Sequence, residues 1–413
     1  MTALNKKTVL LATIVFLHLA RAAFALDFGL TLNQAGEATN VAQDNTETQF
    51  IYSGSYQPWL AVELSETLRL HLSARVGMDY KDKVWQYGDA AILPELERFS
   101  LSWRPAPAYT LEAGRVQFQD PLGIIAKGLF DGATGSAVLG DYRLTGGLFY
   151  TGLLYKESAK VVLSPADYEN YVQPMGKFDS YFASRRMLFA LGAEFPGITE
   201  TTALALQGLF QFDVNENPTV HTQYLTAQYT VFQTNTLTLT GTGVAGLLEN
   251  NRKETLAHFA LAGGAEWEVP GPLQDLAEAE IRWSSGAEDG GSSHIAPFTP
   301  VTVISQGEVF TPALSALSVF SLKYTLRLRP NFISSLKGNY FTRNDSKTIA
   351  GATYKPSDAR FLGGELFASF IWAPATDCMV ALGLGAFFPG MGNVFDADAP
   401  VLWKCAAGVT LSL

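Results

Sequence analysis

Apolar side chains in this chain recur at every second position, segment after segment. After residue 25 they never run together for the ~20 residues that a membrane-spanning helix needs. Leu68, Leu70, Leu72, Ala74 and Val76 form one such file, and Phe99, Leu101 and Trp103 another. Met187, Phe189, Leu191, Ala193 and Phe195 form a third, followed by Phe320, Leu322, Tyr324, Leu326 and Leu328. The chain closes on PVLWKCAAGVTLSL, where Val401, Trp403, Cys405, Ala407, Val409, Leu411 and Leu413 alternate with mostly small or polar residues. Residues two apart in a strand share a face, so each segment reads as a strand with one greasy side. A last strand of this kind pairs back to the first if the sheet closes into a barrel.

Composition agrees. Of the 413 residues 47% are hydrophobic, 12% aromatic and only 16% charged, against about a quarter charged in ordinary soluble domains. A transmembrane β-barrel combines plentiful apolar residues with weak hydropathy in each segment, because alternation dilutes them. Lys6 and Lys7, the apolar run 8–19 and Ala23-Phe24-Ala25 read as a signal peptide over residues 1–25, cleaved before Leu26. Lys6, Lys7 and Arg21 go with it, leaving 26 Lys and Arg against 39 Asp and Glu, a net charge near −13. Residues 26–413 then form one barrel domain. The two cysteines, Cys378 and Cys405, both fall on the outward file away from each other and read as small apolar residues.

The fold class expected is all-β, a transmembrane antiparallel barrel of eighteen strands, with sixteen as the alternative. The segments are 26–33, 49–64, 67–79, 95–104, 109–118, 129–139, 141–155, 184–195, 200–213, 221–232, 236–248, 255–268, 275–284, 314–328, 332–341, 360–373, 378–388 and 400–413. Every second connection is tight, as at Ser65 and Glu66, 105–108, Gly140 and Pro330 with Asn331. Others are long, including 80–94, 156–183, 285–313, 342–359 and 389–399. Short turns at the periplasmic rim and long loops at the outer rim are the asymmetry of outer-membrane barrels. Trp103, Trp267, Trp283, Trp372 and Trp403 lie near strand ends, where an amphipathic ring suits a membrane interface.

If the apolar file meets lipid, its complement lines the lumen. Arg69, His71 and Arg75 stand there on the third strand, Arg98 and Arg104 on the fourth, followed by Arg115, Arg143 and Arg186. The same arc sets few acids against them, mainly Glu63 and Glu194. Lys323, Arg327 and Lys337 form a smaller basic patch, while Glu266, Glu268, Glu278, Glu280 and Arg282 make a mixed or acidic arc. A row of like charges is tolerable beside water or an anion, and rings of Arg or Lys select anions in pores. Bracing of the barrel by pairing with far-wall or loop glutamates explains the same arginines. Leu111 and Arg115 do not fit one alternation, so a bulge is expected near 112–114.

Loop 156–183 carries Lys156, Lys160, Lys177, Asp167, Glu169, Tyr168, Tyr171, Phe178 and Tyr181, and either narrows the pore or packs as a surface loop. Glu288, Asp289, Asp396 and Asp398 lack recognised calcium-ligand spacing, so no metal site is expected. The four histidines after residue 25 (His71, His221, His258 and His294) join no zinc spacing or nucleophile elbow, and no glycine-rich nucleotide loop occurs. Neither catalysis, a cofactor nor nucleic-acid binding is expected.

With EAGRVQFQDP at 112–121 and its Gly-Arg strand motif, the chain resembles a Gram-negative outer-membrane porin. In strand count and basic lumen it is similar to alginate-export-type substrate-specific porins. That resemblance implies lumen arginines contacting an anionic polymer, with Arg115 and Arg143 foremost and Arg75 and Arg98 beside them. Leu413 stands where such barrels usually end in an aromatic residue. The implied partners are outer-membrane lipid with its lipopolysaccharide-like leaflet, the outer-membrane assembly machinery, and a hydrophilic, anionic solute. Two functions follow: a diffusion channel favouring anions, or a loop-plugged barrel acting as an adhesin or structural protein. Oligomeric state is left open.

Overall fold

The computed structural model describes residues 25–41, 48–81, 92–173, 181–215, 219–250, 254–287, 294–345, 359–396 and 398–413. The expected signal peptide therefore lies almost wholly outside the described residues. Strands β1 (Ala25–Thr39), β2 (Gln49–Ser65), β3 (Leu68–Lys81), β4 (Ile92–Ala106), β5 (Tyr109–Gln119) and β6 (Lys127–Leu139) come first. β7 (Tyr142–Tyr150), β8 (Arg186–Thr199), β9 (Thr202–Asp213), β10 (His221–Phe232), β11 (Leu237–Glu249) and β12 (Thr255–Val269) follow. The remainder are β13 (Asp275–Ser284), β14 (Leu317–Arg329), β15 (Phe332–Arg343), β16 (Phe361–Ala375), β17 (Cys378–Phe388) and β18 (Leu402–Ser412). Two short helices, α1 (Lys156–Ala159) and α2 (Pro165–Val172), lie between β7 and β8.

The strands make one 18-stranded antiparallel sheet that closes on itself, with β1 bonded to both β2 and β18. The seam is completed at the chain's end, where Leu30 N donates to Leu413 O at 2.9 Å and Leu413 N donates to Leu30 O at 2.8 Å. Closure leaves no unpaired edge. Alternation is retained: Leu72, Phe99, Leu101, Met187, Phe189, Leu191, Phe320 and Leu322 are all exposed on the outer face. Cys378 and Cys405 are free, and Trp103, Trp267, Trp283 and Trp372 are exposed near strand ends.

Several boundaries depart from expectation, among them those of β1, β7 and β14. β1 runs on to Thr39 because pairing on both sides holds a segment whose composition is weak in β-formers. Its end is pinned by Thr39 Oγ1 and Asn40 Nδ2, which donate to the carbonyls of Trp403 and Val401. β7 stops at Tyr150, and Thr151 Oγ1 donates into the next turn of chain at Ser184 O. β14 starts at Leu317 rather than 314, because Leu314 is buried inside with the incoming loop.

Val116, Phe130, Phe149, Leu188, Leu209, Tyr224, Val244 and Ala260, one inward residue from each strand β5 to β12, are buried in a single apolar cluster. Ile124, Ile125, Phe298 and Val301 from incoming loops cap it. The same cluster takes in Leu317 and Val319 of β14, Phe341 of β15, Leu362 of β16 and Phe387 of β17.

Candidate functional site

Two carboxylates tie chain inside the barrel. After β5 the backbone turns through 120–126, and the buried Asp120 carboxylate accepts from the backbone N–H groups of Leu122, Gly123, Ile124, Ile125 and Ala126 at 2.8–3.4 Å. The turn so fixed offers Ile125 O to Val301 N and Thr302 N, while Lys127 N donates to Thr302 Oγ1. Segment 294–316, between β13 and β14, thus docks on the far side of the lumen from its own strands. Farther on, the carboxylate of Glu365 on β16 accepts from Glu308 N, Val309 N and Phe310 N at 2.8–2.9 Å, and from Asn339 Nδ2 at 2.9 Å. Phe310 stacks on Phe387 with ring centroids 4.4 Å apart. Carboxylates suit this role because each oxygen accepts more than one N–H, and charge-assisted bonds are the strong ones.

The loop after β7 joins the same assembly. Val303 N donates to Lys160 O, Ser158 Oγ to Glu95 Oε2, and Tyr181 OH to Pro94 O. Of the two expectations for 156–183, the described part turns inward; Lys177 and Phe178 lie outside the described residues. Lys156 is buried and donates to the carbonyls of Asn170 and Gln173, and burial lowers its pKa. Glu288 and Asp289 also lie outside the described residues.

The arginines are distributed less simply than the alternation suggests. Arg75 reaches Glu95 at 3.9 Å and Arg98 reaches Glu112 at 2.9 Å, both arginines remaining more than a third exposed. Arg69, Arg104 and Arg143 are exposed near the short turns, with Glu63 directly across from Arg69 and Glu194 across from Arg143. Arg143 also donates to Ser136 Oγ.

Arg115 and Arg186 depart from the expectation that they line the pore. Arg115 stands opposite Phe99 of the outward file, and its buried guanidinium is shared among Asp131, Leu96 O and Leu153 O. No residue is inserted in β5 near 112–114: the β5–β6 register is unbroken. Instead Gly114 takes φ +120 and β4–β5 pairing ends at Phe99 and Arg115, while the extra residue in the β3–β4 ladder is Glu97. Arg186 is fully buried between Asp167 and Asp213, each 2.6 Å away. Sequence reading thus undercounted the acids on this arc. Glu95, Glu112 and Asp131 pair with Arg75, Arg98 and Arg115, and Asp167 and Asp213 both pair with Arg186.

On the opposite wall Lys323 meets Glu278 at 2.7 Å, Lys337 meets Glu308 at 3.5 Å and Arg282 meets Glu280 at 2.8 Å. Arg327 is exposed at the short-turn rim and donates to Gln274 Oε1. His71 faces the lumen, directly across from Ser100 on β4. His258 is enclosed between Tyr224 and Phe298, its Nδ1 accepting from Thr299 N, which is a packing role.

Among solved structures, the outer-membrane protein OpdK of Pseudomonas aeruginosa matches at TM-score 0.64 and 12% identity, covering 94% of this chain and 98% of that one. The fold is that of an outer-membrane β-barrel protein. OpdF (OccK2) of the same organism, solved with glucuronate, matches at TM-score 0.63 and 12% identity, again over 94% and 98%. OpdQ matches at 0.61 and 11% over the same shares. No family model matches the chain, and no curated protein is similar to it in sequence.

Proposed function

We propose that this chain is an outer-membrane channel through which small hydrophilic solutes diffuse, with a preference for anions. The carrying observation is the closed sheet with exposed apolar side chains outside and Arg, Lys, Glu, Ser and Thr on the inward file. An apolar outer band and polar interior are what a lipid-embedded barrel requires, since a closed ladder satisfies every backbone group without water. In this reading the short turns face the periplasm and residues 1–25 direct export.

Anion preference rests on Arg69, Arg75, Arg98, Arg104 and Arg143, which keep guanidinium surface toward the lumen. Their paired carboxylates moderate the field without removing the donors, because a guanidinium has five N–H groups. The solved relatives OpdF with glucuronate and OpdK with vanillate hold carboxylate ligands, which supports a carboxylate-bearing solute here. Reversal potential across a KCl gradient tests this. The wild-type channel favours chloride, and Arg69→Gln, Arg104→Gln and Arg143→Gln together move the potential toward potassium. A cation-selective wild type overturns the anion reading.

The two carboxylate anchors of segment 294–316 favour a second reading, a barrel whose lumen is filled by its own loops and whose role is adhesive or structural. Conductance separates the two.

A further inference from the structure

One row of the inner wall away from the arginines carries an ordered charge pattern. Cross-strand partners run Thr238, Glu266, Glu278, Lys323 and Lys337 on β11 to β15, so that two acids stand side by side and then two lysines. Like charges directly opposite one another in a sheet are destabilising, and exchanging one acid with one lysine would have removed both repulsions. Only the central contact, Glu278 with Lys323, is a close pair. Glu266 is exposed, and Lys337 has the longer contact to Glu308 of the inward segment. In the next row Glu280 is taken by Arg282. A cavity of about 380 Å³ lies over the row, lined by Thr238, Thr240, Glu266, Glu278, Lys323 and Lys337 among others.

We infer that this row is a binding subsite for linear zwitterions, above all short peptides. Their ammonium sits between Glu266 and Glu278, and their carboxylate between Lys323 and Lys337. Strands stand ~4.8 Å apart, so the centres of the acidic and basic pairs are two spacings, about 10 Å, from each other. An extended tripeptide spans about 10 Å, whereas a free α-amino acid cannot reach both pairs. The four side chains turn a barrel of mixed charge into a ruler for the distance between two opposite ionic groups. This rests on the channel reading, deepens it by naming a solute class, and does not use the arginine arc.

The test is current block by trialanine in planar bilayers holding the full mature barrel. Trialanine dwells about fivefold longer than its C-terminal amide, its N-acetyl form or free alanine. Glu266→Gln removes the advantage over the acetyl form, and Lys337→Gln the advantage over the amide. Equal dwell times for all four compounds in a channel that conducts KCl overturn the subsite and leave the channel reading intact. Should no KCl current appear, the channel reading fails, and titration calorimetry of the same compounds on the detergent-folded barrel decides the subsite. Heat-modifiable electrophoretic mobility confirms that each variant is folded.

Discussion

Arg186 and Asp167 meet at 2.6 Å with both side chains enclosed, joining the first residue of β8 to helix α2 inside the barrel. Nη1 of the same arginine holds Asp213 at 2.6 Å and donates to Val220 O. Removing one partner of a buried pair costs about 3–5 kcal/mol because a charge is left uncompensated. Arg186→Gln therefore frees the segment 151–173 for proteolysis while leaving the strands paired. Limited digestion, read beside the thermal transition, checks this.

The same contact sets a pH dependence. Burial alone would raise the Asp167 carboxyl, but the bond and charge of Arg186 outweigh it and hold the pKa below the usual carboxylate value. A depressed carboxylate contributes stability above its unfolded pKa of about 4, and that contribution is lost as pH falls through the lower folded value. Cleavage of 151–173 by an acid protease should rise below about pH 4 and stay flat from pH 5 to 8.

Glu365 anchors three consecutive backbone N–H groups of the inward segment. Hydrogen bonds to a charged acceptor are worth about 1.5–3 kcal/mol each, and the amides left unpaired add their desolvation. Glu365→Ala should raise open-channel current noise and speed hydrogen exchange at 308–310. Unchanged exchange there would show that Phe310 stacking on Phe387 holds the segment by itself.

Leu322 is the most exposed of its outward file at 68%, and Ser321 beside it points inward to donate to Asn339 Oδ1. Arginine in lipid at mid-depth costs about 2–4 kcal/mol in barrels of this kind. Leu322→Arg should therefore lower the yield of folded barrel in bilayers far more than Ser321→Arg. Equal yields would argue that the outer face meets something other than lipid.

Gly114 has φ +120, and a Cβ there would overlap the Phe99 carbonyl oxygen. Backbone in that region disfavours any side chain, by roughly 1–2 kcal/mol before the overlap is counted. Gly114→Ala should reduce heat-modifiable folded protein, whereas Gly140→Ala, with open space around its Cβ but positive φ, should reduce it less.

Strand positions were legible because a closed sheet with one apolar face writes a period of two into every spanning segment. β10, β13 and β17 coincide with the expected 221–232, 275–284 and 378–388. β1 was half hidden, since Gln34, Gly36, Glu37 and Thr39 owe their strand state to neighbours rather than to their own preferences. The inner wall was legible as to which residues are charged, but not as to which charges meet. Asp167 reaches Arg186 from a helix 19 positions away in sequence, and Asp213 reaches it from the end of the neighbouring strand. Alternation says nothing about loops that turn inward, so Asp120 left no periodic signal, and Glu365 on β16 gave no sign of the loop amides that it holds. Arg115 misled because a bulge expected at 112–114 would have turned it inward, whereas the unbroken register keeps it on the file of Leu111, opposite Phe99.

Single-channel recording of the refolded mature chain in planar bilayers tests the central claim most directly. A channel reading predicts stepwise, ohmic conductance in symmetric KCl that grows with salt concentration. Folded, inserted barrels that carry no steps at any voltage would contradict it and leave the loop-filled barrel as the function.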